Sequence, residues 1–385
     1  MKKTIYFDNA ATTMLHPEVL NAMMPYFCDE YANPAGAYNN AHTAEKAMHH
    51  ARIQAARLIG ARPEEIYFTS GGSEADNWAI KCLARKHMKE RHGSHCHIIT
   101  GSIEHNAVLN SCKALEKDGV DITYLECDRY GMIQPEAVLS AIRDDTILIS
   151  IMTANNEVGT IQPIKAIGQL ARRHQIPFHT DAVQAYGHIP LNVNDSFIDM
   201  LSVSAHKFHG PKGIGFLYIR NGLELPSLID GGSQEKGLRA GTSNVPGIVG
   251  LGRAAELAGR NMWYNMNYLN RIRSYIIKRI KKDIPDAVLT GHERMRLPNN
   301  ISLCFPGVES APLLSLLDSH GICASAGSAC STGAAGPSHV LLAMGIPYDL
   351  ATGSIRLTLS PDNTMEEADY VATKVIESVK ALRRH

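Results

Sequence analysis

The sequence predicts an α/β protein: a large domain on a mostly parallel, buried sheet, followed by a smaller α+β domain. Three observations carry this. Short, strand-sized apolar runs alternate with longer segments of helical periodicity up to about residue 255. Such alternation is the pattern of βα units with both sheet faces covered. The chain then changes character, with one long helical stretch followed by a second, smaller set of elements. Repeats and low-complexity tracts are absent.

In chain order, the strand runs are 65–69 (EIYFT), 96–100 (CHIIT), 122–125, 147–152 (ILISIM), 177–180, 200–204 (MLSVS) and 215–219 (GFLYI). Helix-like segments such as 74–89 and 164–174 lie between them. The long helix is expected over 250–283, and a further strand over 300–304. The last helix carries an S/T-x-x-E capping pattern in Thr364 and Glu367, with Val371, Val375, Val379 and Leu382 at helical spacing. The expected division is a large domain over 16–255, with 1–15 and 256–385 forming the small one.

Composition excludes several classes. Lys plus Arg and Asp plus Glu both number 38, so no net charge draws the chain to nucleic acid or an anionic membrane. The apolar runs are too short to span a bilayer. The start, MKKTIYFDNAATT, lacks the apolar stretch of a secretory signal. Eight cysteines in 385 residues, with no C-x-x-C, are neither a disulfide framework nor a zinc motif. A cytoplasmic protein with free thiols and no metal is the expectation.

In open α/β sheets, ligand sites form in loops at the carboxyl ends of the strands. Five such loops stand out. TSGGSEADN (69–77) offers an anion cradle at Gly72 and Ser73, or a plain N-cap. His105 in SIEHNAV follows a strand, as a structural or a catalytic imidazole. Asn155 and Asn156 in TANNEVGTIQP are turn formers or amides aimed at a ligand. Asp181 in HTDAVQAYG, with Gln184 three residues on, is an acid at a buried strand end and needs a cationic partner. Lys207 in SVSAHKFHGPKGIG either snorkels outward or is desolvated, which lowers a lysine pKa and suits a Schiff-base amine. No G-x-G-x-x-G or Walker A pattern occurs. An anion cradle, an aromatic for stacking, a buried acid and a desolvated lysine together suit pyridoxal 5'-phosphate.

These loops, with YFDNAATT (6–13), GGSQEKGLRAGT (231–242), GSACSTG (327–333) and SIRLTLS (354–360), make the chain resemble the class V aminotransferases, specifically NifS/IscS-type cysteine desulfurases. The resemblance covers nearly the whole chain. It implies the fold type I architecture of pyridoxal-phosphate-dependent transferases and a homodimer with sites near the interface. It implies that Lys207 bonds the cofactor aldehyde, that Asp181 pairs with the pyridinium and that Gln184 and Asn156 flank the ring hydroxyl. His105 would stack on the ring and move protons, and Gly72, Ser73, Ser204 and His206 would hold the phosphate, joined by Thr242 from the other subunit. Arg356 would clamp the substrate carboxylate, a task suited to a bidentate guanidinium, with Asn33 beside it. One departure is clear: where the family often has N-P-S-S-x-H, this chain has NPAGAY, with Ala35, Gly36 and Tyr38 at the Ser, Ser and His positions.

The segment 321–337 (GICASAGSACSTGAAGP) holds two cysteines and no charged residue. Cys330 stands at the family's nucleophile position; Cys323 reads as a small thiol at a strand end. Without a local cation to form a thiolate, activation must come from the site, with His105 as the candidate, once the small-residue loop swings in. The implied activity is removal of sulfur from L-cysteine, giving alanine and a persulfide on Cys330 for a sulfur acceptor or iron–sulfur scaffold protein, in iron–sulfur assembly or tRNA thiolation. The alternatives are a selenocysteine lyase or aminotransferase on the same fold, or a silent pyridoxal-phosphate-binding regulator.

Overall fold

The computed structural model describes residues 4–90, 96–326 and 336–384. Its strands in chain order are β1 (Ile5–Tyr6), β2 (Ile66–Thr69), β3 (His97–Gly101), β4 (Asp121–Leu125), β5 (Thr146–Ser150), β6 (Phe178–Asp181), β7 (Met200–Ser204), β8 (Gly215–Ile219), β9 (Val288–Leu289), β10 (Asn300–Cys304), β11 (Ile322–Cys323) and β12 (Ser354–Thr358). Seven of them form the main sheet, in the order β2-β8-β7-β6-β5-β3-β4. The pairs β4–β3, β3–β5, β5–β6 and β6–β7 are parallel, while β8 runs antiparallel to both β7 and β2. The expected mostly parallel sheet is present.

The central strands are apolar at successive positions because both faces are covered. Ile99, Ile149, Phe178, Leu201 and Phe216 face one core, which also holds buried residues of the helices Asn39–Arg57, Ile164–Arg173 and Val245–Asp283. Ile98, Leu148, Met200 and Leu217 face another, packed with Trp78, Leu83, Val108 and Leu115. A third core joins the far half of the long helix (Leu269, Ile272, Ile276, Ile280) to β10, β12 and the last helix. There β12, β10 and β9 form an antiparallel sheet, and β1 pairs in parallel with β11.

Two local expectations are corrected. The run 147–152 is strand only as far as Ser150, because the Met152 N–H turns from the sheet to the buried carboxyl of Glu104 at 2.8 Å. The segment 74–89 is not one α-helix. A π turn, Trp78–Cys82, interrupts it where the buried Trp78 indole N–H reaches the Pro226 carbonyl at 2.8 Å. The last helix, Met365–Leu382, starts as expected: Thr364 Oγ1 accepts from the Glu367 N–H, and the Glu367 carboxylate accepts from the Thr364 N–H.

Ile276 is fully buried where the long helix enters the third core. Its truncation, Ile276→Ala, is expected to cost about 2–5 kcal/mol of stability by lost burial and a residual cavity. Denaturant unfolding checks this; a loss below about 1 kcal/mol contradicts the packing described.

Candidate active site

The carboxyl ends of β5, β6 and β7 open onto a cavity of about 230 Å³. It is lined by Gly72, Ser73, His105, Asn156, Asp181, Gln184, Ser204, His206, Lys207 and Arg356, which the sequence singled out, and by Ala10, Ala11, Asp76, Met152, Ala154 and Val183, which it did not. Thr242 and Asn33 are exposed and do not line it; Asn33 Oδ1 caps its own turn by accepting from the Ala35 N–H at 3.0 Å. Cys330 lies outside the described residues.

Lys207 ends a short 3-10 turn directly after β7. Its Nζ donates to the carbonyls of Ala10 (2.7 Å) and Ala11 (2.8 Å). The amine is therefore partly buried and held from the N-terminal segment, not snorkelling into water. Gln184 Nε2 donates to the same Ala10 carbonyl at 3.0 Å. The His188 ring donates from Nε2 to the Lys207 backbone carbonyl at 2.9 Å, fixing the turn from behind.

Asp181, the last residue of β6, accepts the Val183 N–H at 2.8 Å. Burial pushes its carboxyl up, opposed by the positive charge of His105 and Lys207. Asp76 sits beside it in the cavity wall at 1% exposure, with Oδ1 lacking a hydrogen-bond partner. Burial first, then the negative charge of Asp181, hold Asp76 well above the usual carboxylate range. His179 lies 3.6 Å from Asp76, but burial lowers its pKa to about 3, so the ring is neutral and the contact is not an ion pair. That ring instead bridges the hydroxyls of Ser150 (2.8 Å) and Ser202 (3.0 Å).

His105 caps the helix Asn106–Lys117: its Nδ1 accepts the Ala107 N–H at 3.1 Å. A neutral ring so held carries its proton on Nε2. The two asparagines divide the roles left open in the sequence. Asn155 is a turn former, its Oδ1 accepting from the Glu157 and Val158 N–H groups, while Asn156 lines the cavity. At the anion-cradle end, Gly71 adopts φ 155° and a Cβ on Gly72 would lie 2.6 Å from Val183, so the backbone approaches as closely as glycine permits. Ser73, Ser204 and His206 add two hydroxyls and a ring; burial, then Lys207 and Lys212, lower the His206 pKa to about 4. Arg356 enters from β12 at 2% exposure, donating from Nη1 to the Asn156 carbonyl (3.0 Å) and from Nη2 to Asp8 Oδ1 (2.8 Å).

The N-terminal segment escaped sequence reasoning as a source of site groups. Its signal was present, since YFDNAATT stood among the motifs, but a carbonyl acceptor leaves no side-chain trace. Asp76 was likewise visible inside TSGGSEADN.

The fold and this cavity define a lysine-based α/β transferase site, and residues 5–371 match the profile of the aminotransferase class-V family. The chain belongs to that family. It is 50% identical over 381 residues to a cysteine desulfurase IscS of Methanosarcina thermophila, covering 99% of this chain and 93% of the relative. It is 48% identical over 385 residues to a cysteine desulfurase IscS of Clostridium botulinum, covering 100% and 96%. Among solved structures it resembles a NifS-like protein (TM-score 0.91, 38% identity, 98% of this chain and 100% of that one). It also resembles SspA in complex with cysteine (TM-score 0.83, 40% identity, 94% and 100%).

The buried carboxyls give a pH signature. Asp76 keeps its proton in the fold at pH values where the unfolded carboxyl, with an ordinary value of 3.8, has lost it. The native state then binds more protons than the unfolded one, so this group removes stability as pH rises above that value. Asp76→Asn is therefore expected to stabilise the cofactor-free protein, with a gain growing by up to about 1.4 kcal/mol per pH unit. Denaturant melts at pH 5 and pH 8 test it; an equal effect at both contradicts a protonated Asp76.

Proposed function

We propose that this chain is a pyridoxal-phosphate-dependent cysteine desulfurase, acting as a homodimer and passing sulfur from L-cysteine to an acceptor protein. The observation that carries the proposal is the meeting of Lys207, Asp181, His105 and Arg356 in one cavity. The full-length similarity to proteins named cysteine desulfurase supports it, as does the similarity to a structure solved with cysteine.

The residues present fit the cofactor. One cavity holds a primary amine for an aldehyde, a buried carboxyl for a ring nitrogen, and a glycine-lined end with hydroxyls for a phosphate. Bound there, pyridoxal phosphate supplies an electron sink for the amino acid's α-carbon. Lys207 would bind it covalently, and Asp181, otherwise a carboxyl raised by burial, gains the cationic partner its position needs. Gly72, Ser73, Ser204 and His206 would hold the phosphate, Gln184 and Asn156 the ring hydroxyl side, and the exposed Thr242 would serve the partner subunit's phosphate. His105, whose Nδ1 is taken by the Ala107 N–H and whose ring lines the cavity, is the group to hold and move a proton. Arg356 would take the substrate carboxylate, with Asn33 as a further contact. Cys330 would attack the substrate sulfur as a thiolate: its new S–S bond forms as the substrate C–S bond breaks, and the carbon skeleton takes up a proton and leaves as alanine.

Purified protein given L-cysteine should release alanine, and the peptide containing Cys330 should gain one sulfur by mass. Cys330→Ser is expected to abolish sulfide and persulfide while keeping the cofactor's absorbance; turnover at the parent rate in that variant refutes the nucleophile. Lys207→Ala should lose the lysine-bound cofactor band, and an unchanged band refutes the attachment site.

A further inference from the structure

Arg356 is held in an unusual way for a group meant to receive a ligand. Its backbone is fixed on both edges of β12, by pairing with Ser302 of β10 and by an exchange of bonds with Ser325 (Arg356 N to Ser325 O 2.6 Å, Ser325 N to Arg356 O 3.2 Å). Its side chain is then fixed by two groups from distant parts of the chain, the Asn156 carbonyl and the Asp8 carboxylate. Asp8 is itself stitched to the same strand. Its backbone bridges Thr358, the Asn9 side chain donates to the Thr358 carbonyl at 2.9 Å, and the Ala10 N–H donates to Thr358 Oγ1 at 2.8 Å. Asp8 is thus a rigid bracket two residues along β12 from the guanidinium it holds.

The stoichiometry of the contact matters. A guanidinium carries five N–H donors. Asp8 engages it from Oδ1 to Nη2 at 2.8 Å, and Asn156 takes one bond from Nη1. Nε is buried and has no partner, so rotation about the end of the side chain is resisted by these two bonds. One hydrogen on each Nη remains beyond the two named bonds, enough to donate two bonds to an incoming carboxylate.

We propose that Asp8 is the positioning residue of the Arg356 clamp, orienting the guanidinium so that its unused Nη hydrogens face the cavity for the carboxylate of an amino-acid substrate. This rests on reading the cavity as an amino-acid site. It also gives the YFDNAATT motif a task. Asp8 orients the carboxylate receptor while Ala10 and Ala11, two and three residues on, hold the Lys207 amine. One short turn therefore sets the distance between the amine that would bond the cofactor and the guanidinium that would receive the substrate carboxylate.

The test uses the cofactor-loaded protein and the cofactor's absorbance, which reports amino-acid binding without turnover. The probes are L-alanine and L-alaninamide, identical but for the carboxylate. Asp8→Ala is expected to weaken L-alanine binding about tenfold to a hundredfold, the worth of a charge-assisted hydrogen bond, and to leave L-alaninamide binding unchanged. Asp8→Asn, which keeps an acceptor oxygen in place, should restore L-alanine binding to within about threefold of the parent. Parent-like L-alanine binding in Asp8→Ala, or equal losses for both probes, overturns the proposal. If Asp8→Ala does not fold, Asp8→Glu decides. Its carboxylate, displaced by one methylene, should lower L-alanine affinity alone, and parent-like binding there overturns the proposal equally. Arg356→Gln separates the two levels: if it leaves L-alanine binding intact, the amino-acid site is misread, whereas if it abolishes binding and Asp8→Ala does not, only the role of Asp8 fails.

Discussion

Lys207 places a cationic amine at the carboxyl end of a fully covered sheet, and much of the structure around the cavity answers to that placement. A primary ammonium out of bulk water needs oxygen acceptors. They come from the far N-terminus, as the carbonyls of Ala10 and Ala11. To bring those carbonyls to β7, the segment after β1 is laced along the turn that holds Lys207. The Thr13 N–H and hydroxyl both donate to the His206 carbonyl, and Thr13 Oγ1 accepts from the His209 N–H. The same segment then reaches β12 through Asp8, so the large sheet and the small one share a strap at the cavity.

Burial works against ionisation of the acidic groups in the cavity wall. Asp76, Glu104 and Asp181 are buried near one another, and burial pushes each carboxyl up. The imidazole among them, His179, is kept neutral by the same burial. Lys207 and Arg356, by contrast, are both tied to oxygen acceptors from other parts of the chain. Under the proposed function, these two grip the cofactor and the substrate.

Much of this was legible in the sequence, because apolar strand runs and the polar residues that end them are local patterns. β7 and β8 coincide with MLSVS and GFLYI, and ten of the residues singled out in the sequence share the cavity. What was not legible is what local pattern does not encode. Whether Asn155 or Asn156 faces the ligand depends on a turn whose hydrogen bonds are visible only in three dimensions. The π turn at Trp78 follows from an indole seeking a carbonyl far along the chain, at Pro226. The acceptors for Lys207 are backbone atoms of two alanines, for which no residue type is diagnostic.

The strap also orders events in time. Asp8 and Arg356 are 348 positions apart, so the contact closes a loop of nearly the whole chain, the kind that forms late because its entropy cost is met only after other contacts exist. During synthesis the residues of the main sheet, and Lys207 with its two carbonyls, leave the ribosome well before β12 does. A nascent chain can therefore complete its amine pocket while the carboxylate receptor is still unmade. The contact that orients Arg356 is thus the last part of the cavity wall to become available.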